Sequence, residues 1–155
     1  MLTSLKYRLA NKLDSHFAIQ CICAIATTFI LALILGKDKV VAISSIGATS
    51  FILFATPKKV SAQTMHIIGG YAIGLTAGLI FSTMPLHFTI MYPMVIGTVF
   101  FLMVVFNLQH APAVGAALAV VTNEVTVLDI AAIIFSLVIL SQCRYYIRHR
   151  LRNLV

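Results

Sequence analysis

The sequence predicts an all-α membrane protein: a polytopic bundle of about six membrane segments, two of them short or broken. Of the 155 residues, 61% are hydrophobic and only 10% are charged, whereas a soluble domain carries roughly 25% charged residues. Several apolar runs reach the roughly 20 residues that a helix needs to cross a bilayer. Two more runs are apolar but too short, or too rich in small and polar residues, for an ordinary span. The lipid bilayer is therefore the first partner that we expect.

Four segments have the length and composition of ordinary membrane-spanning helices. They cover residues 17–35, 66–84, 88–106 and 125–143. Only the last contains a carboxylate, Asp129, about one turn inside its start. We therefore expect these four segments to cross the membrane as ordinary helices.

The two weak segments are residues 40–57 and 111–122, and the distribution of charge indicates what they do. If all six segments cross, nine of the eleven basic residues share one side: Lys6, Arg8, Lys12, Lys58, Lys59, Arg144, Arg148, Arg150 and Arg152. If both weak segments re-enter instead, the division falls to seven against four. The positive-inside rule therefore predicts six crossings with both termini cytoplasmic. We expect the protein in the plasma membrane.

Three regions follow from this pattern. Leucines recur at helical spacing from Leu2 to Leu13, which predicts an amphipathic interfacial segment over residues 1–16. Residues 17–143 form the transmembrane domain, and residues 144–155 form a basic cytoplasmic tail. Both flanking regions are predicted to anchor the chain at the membrane surface.

The stretch between Asn107 and Glu124 begins with polar and helix-breaking residues. Pro112 suits the first turn of a helix, where its missing N–H is not needed. His110 precedes that turn, and Gly115 and Ala116 make the helix slim. Because helix N-termini favour anions, we predict a solute pathway here, with Asn107, His110, Pro112, Gly115 and Ala116 as its residues.

The segment 40–57 resembles the segment 111–122 in being interrupted by small and polar residues. Gly47 and Ala48 align with Gly115 and Ala116 at a 68-residue offset. Interrupted segments at matching positions in two halves are typical of transporter sites. The predicted pathway residues here are Ser44, Ser45, Gly47, Ala48, Thr49 and Ser50. The alternative is that these hydroxyls bond carbonyls of their own helix.

Gly70, Gly74 and Gly78 recur at intervals of four residues. On a helix they form one smooth face, along which another backbone can approach closely. We interpret this face as a helix-packing surface rather than a pore lining.

Several function classes lack support in the sequence. There is no zinc-protease motif, no phosphate-binding glycine loop and no nucleophile elbow, so we expect no enzyme activity. Cys21, Cys23 and Cys143 are interpreted as small apolar-facing residues, and no metal or other cofactor is predicted. Basic residues lie in loops and tails without interleaved aromatic residues, so nucleic-acid binding is not expected.

A family resemblance adds to this interpretation. The residues that carry it are SIGATSFILFATP at residues 45–57, Ala62-Gln63, Ile68-Gly69-Gly70 and residues 110–118. Over residues 17–142, the chain resembles the HPP family of small integral membrane proteins. Some photosynthetic members are described as nitrite transporters, so the resemblance implies small-anion transport. The chain departs from the family pattern at Ala111, Thr64 and Tyr71. Ala111 stands where the motif has its first proline. Thr64 and Tyr71 stand where the family commonly has a proline and a histidine.

Three interpretations of function remain open at this point. The first is transport of a small polar solute, above all a monovalent anion such as nitrite, by a homo-oligomer. The second is a membrane-bound interaction or sensor subunit without a transport path. The third is a proton-coupled cation carrier, because Glu124 and Asp129 could couple protons together with His110. His66, His87 and His149 are interpreted as solvated imidazoles at span ends or in the tail.

Overall fold

The computed structural model describes residues 15–36, 38–122 and 125–147, and these residues fold almost entirely into helices. The helices are α1 (Ser15–Leu35), α2 (Val40–Ala55), α3 (Thr64–Ser82), α4 (Phe88–Val105), α5 (Pro112–Val121) and α6 (Val127–Ile147). A single 3-10 turn (Val60–Ala62) precedes α3.

This architecture confirms the predicted all-α polytopic bundle with two short segments. Three helical stretches are long and apolar enough to cross a membrane: Thr64–Ser82, Phe88–Val105 and Val127–Tyr146. Helix α2 has 16 residues and α5 has only 10. At about 1.5 Å per residue, α5 spans roughly 15 Å, or about half of the hydrocarbon layer.

Some predictions fall on residues that the structure does not describe. The proposed interfacial segment, 1–16, lies outside the described residues up to residue 14. The basic tail lies outside them beyond Ile147, as does Glu124. Their predicted roles stay predictions.

Two contacts define the ends of the bundle. At one end, the Lys39 ammonium lies 3.4 Å from the Asp129 carboxylate, joining the starts of α2 and α6. At the other end, the Arg144 guanidinium donates a 2.8 Å hydrogen bond to the Pro57 carbonyl, joining their finishes. Helices α2 and α6 are therefore parallel. We call these the Lys39 end and the Arg144 end.

A second parallel pair consists of α3 and α5. Gly74 lies against the backbone of Ala113, and Gly78 lies against Ala117, so both helices advance in the same direction. A Cβ atom on Gly78 would come within 2.8 Å of the Ala117 carbonyl oxygen. The row of glycines thus lies at a close contact between α3 and α5, as a packing surface would.

The chain consequently contains two halves of similar layout, α1–α3 and α4–α6, each with a short helix between two longer ones. The two short helices contact each other in antiparallel orientation, since Ser45 reaches Pro112 while Thr49 reaches His110. The pairs α2–α6 and α3–α5 correspond to each other in this layout. This arrangement is typical of inverted repeats in transporters.

Helix α5 forms the centre of the bundle. It packs against α3, α2 and α4, and its alanines at positions 113, 116, 117 and 119 are buried. Large apolar side chains on the outer helices are exposed instead, for example Phe29, Phe100 and Phe135. In a membrane these exposed side chains face lipid.

Candidate functional site

Four polar side chains come together where the two short helices cross. Ser45 and Thr49 lie one turn apart on α2, Tyr71 lies on α3, and His110 immediately precedes α5. Their exposed fractions are 4%, 0%, 1% and 0%. Because polar groups in a membrane interior are costly, this polar cluster is the candidate functional site. The sequence had indicated three of its four members.

The polar cluster is connected by short hydrogen bonds. The Tyr71 hydroxyl lies 2.8 Å from Ser45 Oγ and 2.9 Å from Thr49 Oγ1. Thr49 Oγ1 lies 3.0 Å from His110 Nε2. His110 Nδ1 lies 2.9 Å from the Ser61 carbonyl oxygen, and Ser45 Oγ lies 2.6 Å from the Pro112 carbonyl oxygen.

Two carbonyl partners fix the direction of the hydrogen bonds at the edges of the cluster. A carbonyl only accepts, so His110 Nδ1 carries a hydrogen and donates it to Ser61. For the same reason, the Ser45 hydroxyl donates to Pro112. Ser45 Oγ can therefore only accept from Tyr71. In a neutral His110, Nε2 can accept the hydrogen of the Thr49 hydroxyl, for which the Ser45 carbonyl of the same helix, 3.1 Å away, is a second acceptor.

The same atoms can also accommodate a protonated His110. In that state Nε2 donates to Thr49, Thr49 donates to Tyr71, and Tyr71 donates to Ser45, which continues to donate to Pro112. Every donor then has an acceptor without any movement of the heavy atoms. The arrangement of donors and acceptors is therefore compatible with either protonation state, while burial without a counter-charge among the described residues favours the neutral imidazole.

The sequence predicts that the first turn of α5 presents free N–H groups to an anion, and the structure differs from this prediction. The N–H groups of Ala113 and Val114 donate to the carbonyls of His110 and Ala111, at 3.1 Å each. These two amides are engaged within the chain in this conformation, so they do not face a ligand. Hydroxyl and imidazole groups are the polar atoms that the site presents instead.

The structure separates the other predicted pathway residues into distinct environments. Ser44 and Ala48 are exposed on the outside of α2. Ser50 lies 3.4 Å from Thr27 on α1, and Gly47 also faces α1. Gly115 and the buried Ala116 lie on α5, where a Cβ on Gly115 would come within 3.2 Å of Ser45.

Asn107 has a structural explanation. Its φ is 53°, in the left-handed region, and it follows Phe106, the C-cap of α4. Its N–H bonds to the Val104 carbonyl at 3.1 Å, and the Leu108 N–H bonds to the Met103 carbonyl at 2.8 Å. This is the Schellman pattern that ends helices, in which asparagine tolerates the positive φ. Asn107 is exposed and lies outside the polar cluster.

Asp129 lies at the Lys39 end, away from His110. One carboxylate oxygen accepts from the N–H and the hydroxyl of Thr126, at 2.7 and 2.9 Å. The Asp129 N–H donates back to the Thr126 hydroxyl at 3.3 Å. Together these bonds form a capping box at the start of α6, to which Lys39 adds an ion pair. The structure thus does not bring Asp129 and His110 together.

We therefore expect Asp129→Asn to leave solute flux within twofold of the native protein. The amide can still accept from Thr126, so only the ion pair and part of the cap are lost, at about 1 kcal/mol or less. Flux into proteoliposomes and thermal unfolding in detergent measure the two effects. A collapse of flux in folded Asp129→Asn would instead support the cation carrier.

Two apolar grooves lie elsewhere on the bundle. One, of about 400 Å³, lies between α3 and α4 and includes Thr76 and Leu102; the other, of about 160 Å³, lies between α1 and α6. Neither lining includes a residue of the polar cluster. Among the described residues, no group of three or more histidine, cysteine or acidic side chains could hold a metal ion.

Comparison with known families identifies the chain. The family model described as "HPP, transmembrane region" matches residues 9–148. The chain belongs to the HPP family. No curated protein and no solved structure gave a match. The match covers all six helices, so the two halves of the bundle together make up the HPP transmembrane region.

The polar cluster connects the segment that resembles the HPP family's name motif with α2, the first short helix. By the resemblance described above, His110 corresponds to the histidine of that motif, and Pro112 to the proline that this chain retains. Tyr71, which the sequence analysis did not select for the site, stands where the resemblance leads one to expect a histidine. Its hydroxyl bridges Ser45 and Thr49. Its position three residues before Gly74 and seven before Gly78, on the helix face beside the glycine row, would have been the signal for it.

Proposed function

We propose that this HPP protein transports a small polar solute, specifically a monovalent anion such as nitrite. The polar cluster would be its binding site, and the structure would represent a closed conformation in which the site is sealed. On this proposal the protein is a transporter and not an enzyme. It acts as a homo-oligomer in the plasma membrane, with the Arg144 end and both termini in the cytoplasm.

The observation that carries the proposal is the position of the polar cluster. Its four side chains lie where the short helices of two similarly built halves cross, which is where transporters of this architecture bind their solutes. A purely structural bundle could fill this position with apolar side chains at lower cost. The cluster also offers hydroxyl and imidazole donors, which suit an oxyanion.

The charge distribution supports an anionic solute. Lys58, Lys59 and Arg144 lie at the Arg144 end, close to the carbonyl of Ser61 to which His110 binds. At the Lys39 end, the described charges are Asp38, Lys39 and Asp129. A basic entrance raises the local concentration of anions and lowers that of cations.

One observation favours the rival interpretation, a membrane-bound interaction subunit. Each of the four side chains of the polar cluster already has hydrogen-bond partners within the chain. A network of this kind can hold helices together without binding any solute. The two interpretations differ in what they expect of a variant that removes one hydroxyl and keeps the shape of the side chain.

Thr49→Val is that variant. We expect it to reduce nitrite flux at least tenfold, since the oxygen that links His110 to Tyr71 is lost. Flux is measured as uptake into proteoliposomes, against empty liposomes, for nitrite, nitrate, formate and chloride. Thr28→Val is the matched control, because the Thr28 hydroxyl bonds only the Ala24 carbonyl of its own helix, at 2.8 Å. Native protein that passes none of these anions would favour the interaction subunit.

A further inference from the structure

His66 lies on the same face of α3 as the row of glycines. It precedes Gly70 by four residues, as Gly70 precedes Gly74, so the three positions form one stripe along the helix. Gly70 lies against His110: a Cβ on this glycine would come within 2.8 Å of His110 Cβ. One turn closer to the Arg144 end, His66 therefore faces the segment that leads into α5.

The two histidines are neighbours but differ in accessibility. They are close enough for their imidazoles to interact electrostatically. His110 has no exposed surface, whereas His66 keeps 8% of its surface exposed. His66 thus lies between the sealed polar cluster and the Arg144 end of the bundle.

His66 also has an unused hydrogen-bonding group. Its Nδ1 atom is buried and has no hydrogen-bond partner among the residues that the structure describes. Buried polar atoms nearly always have a partner, so this unpartnered nitrogen is available to a water, an ion or a ligand. By contrast, both ring nitrogens of His110 are engaged by Ser61 and Thr49.

We propose that His66 is the entry residue of the transport path, binding the anion between the Arg144 end and the polar cluster. This inference rests on the proposed function. When Nδ1 of His66 carries the ring hydrogen, it donates a hydrogen bond to an oxygen of a monovalent oxyanion. Lys58 and Lys59, exposed in the turn before α3, bring the anion to this point, and His110 lies one step further inside.

The first experiment compares His66→Gln with His87→Gln in proteoliposomes. His87 lies in the loop between α3 and α4, at the other end of α3, where its ring bonds Thr89 at 3.0 Å. We expect His66→Gln to lower nitrite flux at least tenfold, and His87→Gln to stay within twofold of native flux. Native flux from folded His66→Gln would overturn the inference and leave the proposed function intact. Absence of flux from the native protein would overturn both.

The second experiment does not depend on flux. His66→Cys is made in a chain whose three native cysteines are replaced by serine, and is treated with a membrane-impermeant thiol reagent. We expect labelling from the Arg144 end alone, and slower labelling in the presence of nitrite than of gluconate. A reaction rate that nitrite does not change would overturn the inference, as would a thiol that reacts only from the Lys39 end.

Discussion

Gly74→Val is expected to prevent this chain from folding into a stable bundle. A Cβ atom at position 74 would collide with the carbonyl oxygen of Ala113 in α5. That atom belongs to the backbone of a buried helix, so it cannot move aside as a flexible side chain would. Overpacking usually costs about 1–3 kcal/mol, and this site belongs at or above the upper value. Monodispersity and thermal unfolding in detergent measure the effect.

Gly97 provides the control for this variant. It lies in the middle of α4, and a Cβ there would meet no atom within 4 Å. Gly97→Ala should therefore be neutral or slightly stabilising, because alanine favours a helix by about 1 kcal/mol over glycine. Equal behaviour of the two variants would contradict close packing of α3 on α5.

His110→Ala is expected to abolish anion flux and also to destabilise the bundle. The change removes an imidazole from the polar cluster and leaves the Ser61 carbonyl and the Thr49 hydroxyl without that partner. Lost interhelical hydrogen bonds and the cavity together give an expected destabilisation of about 2–4 kcal/mol. Uptake of nitrite into proteoliposomes and unfolding in detergent are the two measurements.

His87→Ala is the matched control for His110→Ala, because His87 is exposed and bonds only a nearby side chain. It should keep both native flux and native stability. If His110→Ala were destabilised but transported nitrite at the native rate, His110 would be a structural link and the polar cluster would not be the binding site.

Much of the fold could be predicted from the sequence, because membrane spans are encoded locally. Runs of about 20 apolar residues identify the long helices. Pro112 marks the start of α5 within one residue. The glycines at positions 70, 74 and 78 indicate a packing face through their spacing. None of these signals depends on which helices become neighbours.

The site was predictable only in part, since it depends on the pairing of helices. The sequence indicated all of Ser44, Ser45, Thr49 and Ser50 as hydroxyl contacts. Only Ser45 and Thr49, which are four residues apart, lie on the face that meets α5. Helical spacing shows that Ser44 and Ser45 lie on different faces of α2. It does not indicate which of these faces points into the bundle.

Tyr71 and His66 show what sequence patterns leave out. Tyr71 lies in a segment apolar enough to be interpreted as ordinary span residues, and the interpretation of His66 as a solvated imidazole at a span end is wrong, since only 8% of its surface is exposed. Their importance arises from α5, whose backbone packs against the neighbouring glycines. The contact joins residues about 40 positions apart in the chain, so no local motif records it.

The shortness of α5 has a consequence for membrane insertion of the growing chain. Ten residues cannot partition stably into lipid as a separate helix, since they leave the backbone of the preceding segment, which includes His110, inside hydrocarbon without cover. Cover comes from the row of glycines on α3, which is synthesised earlier. Integration of α5 is therefore expected to follow that of α3, as a step that occurs against protein rather than directly into lipid.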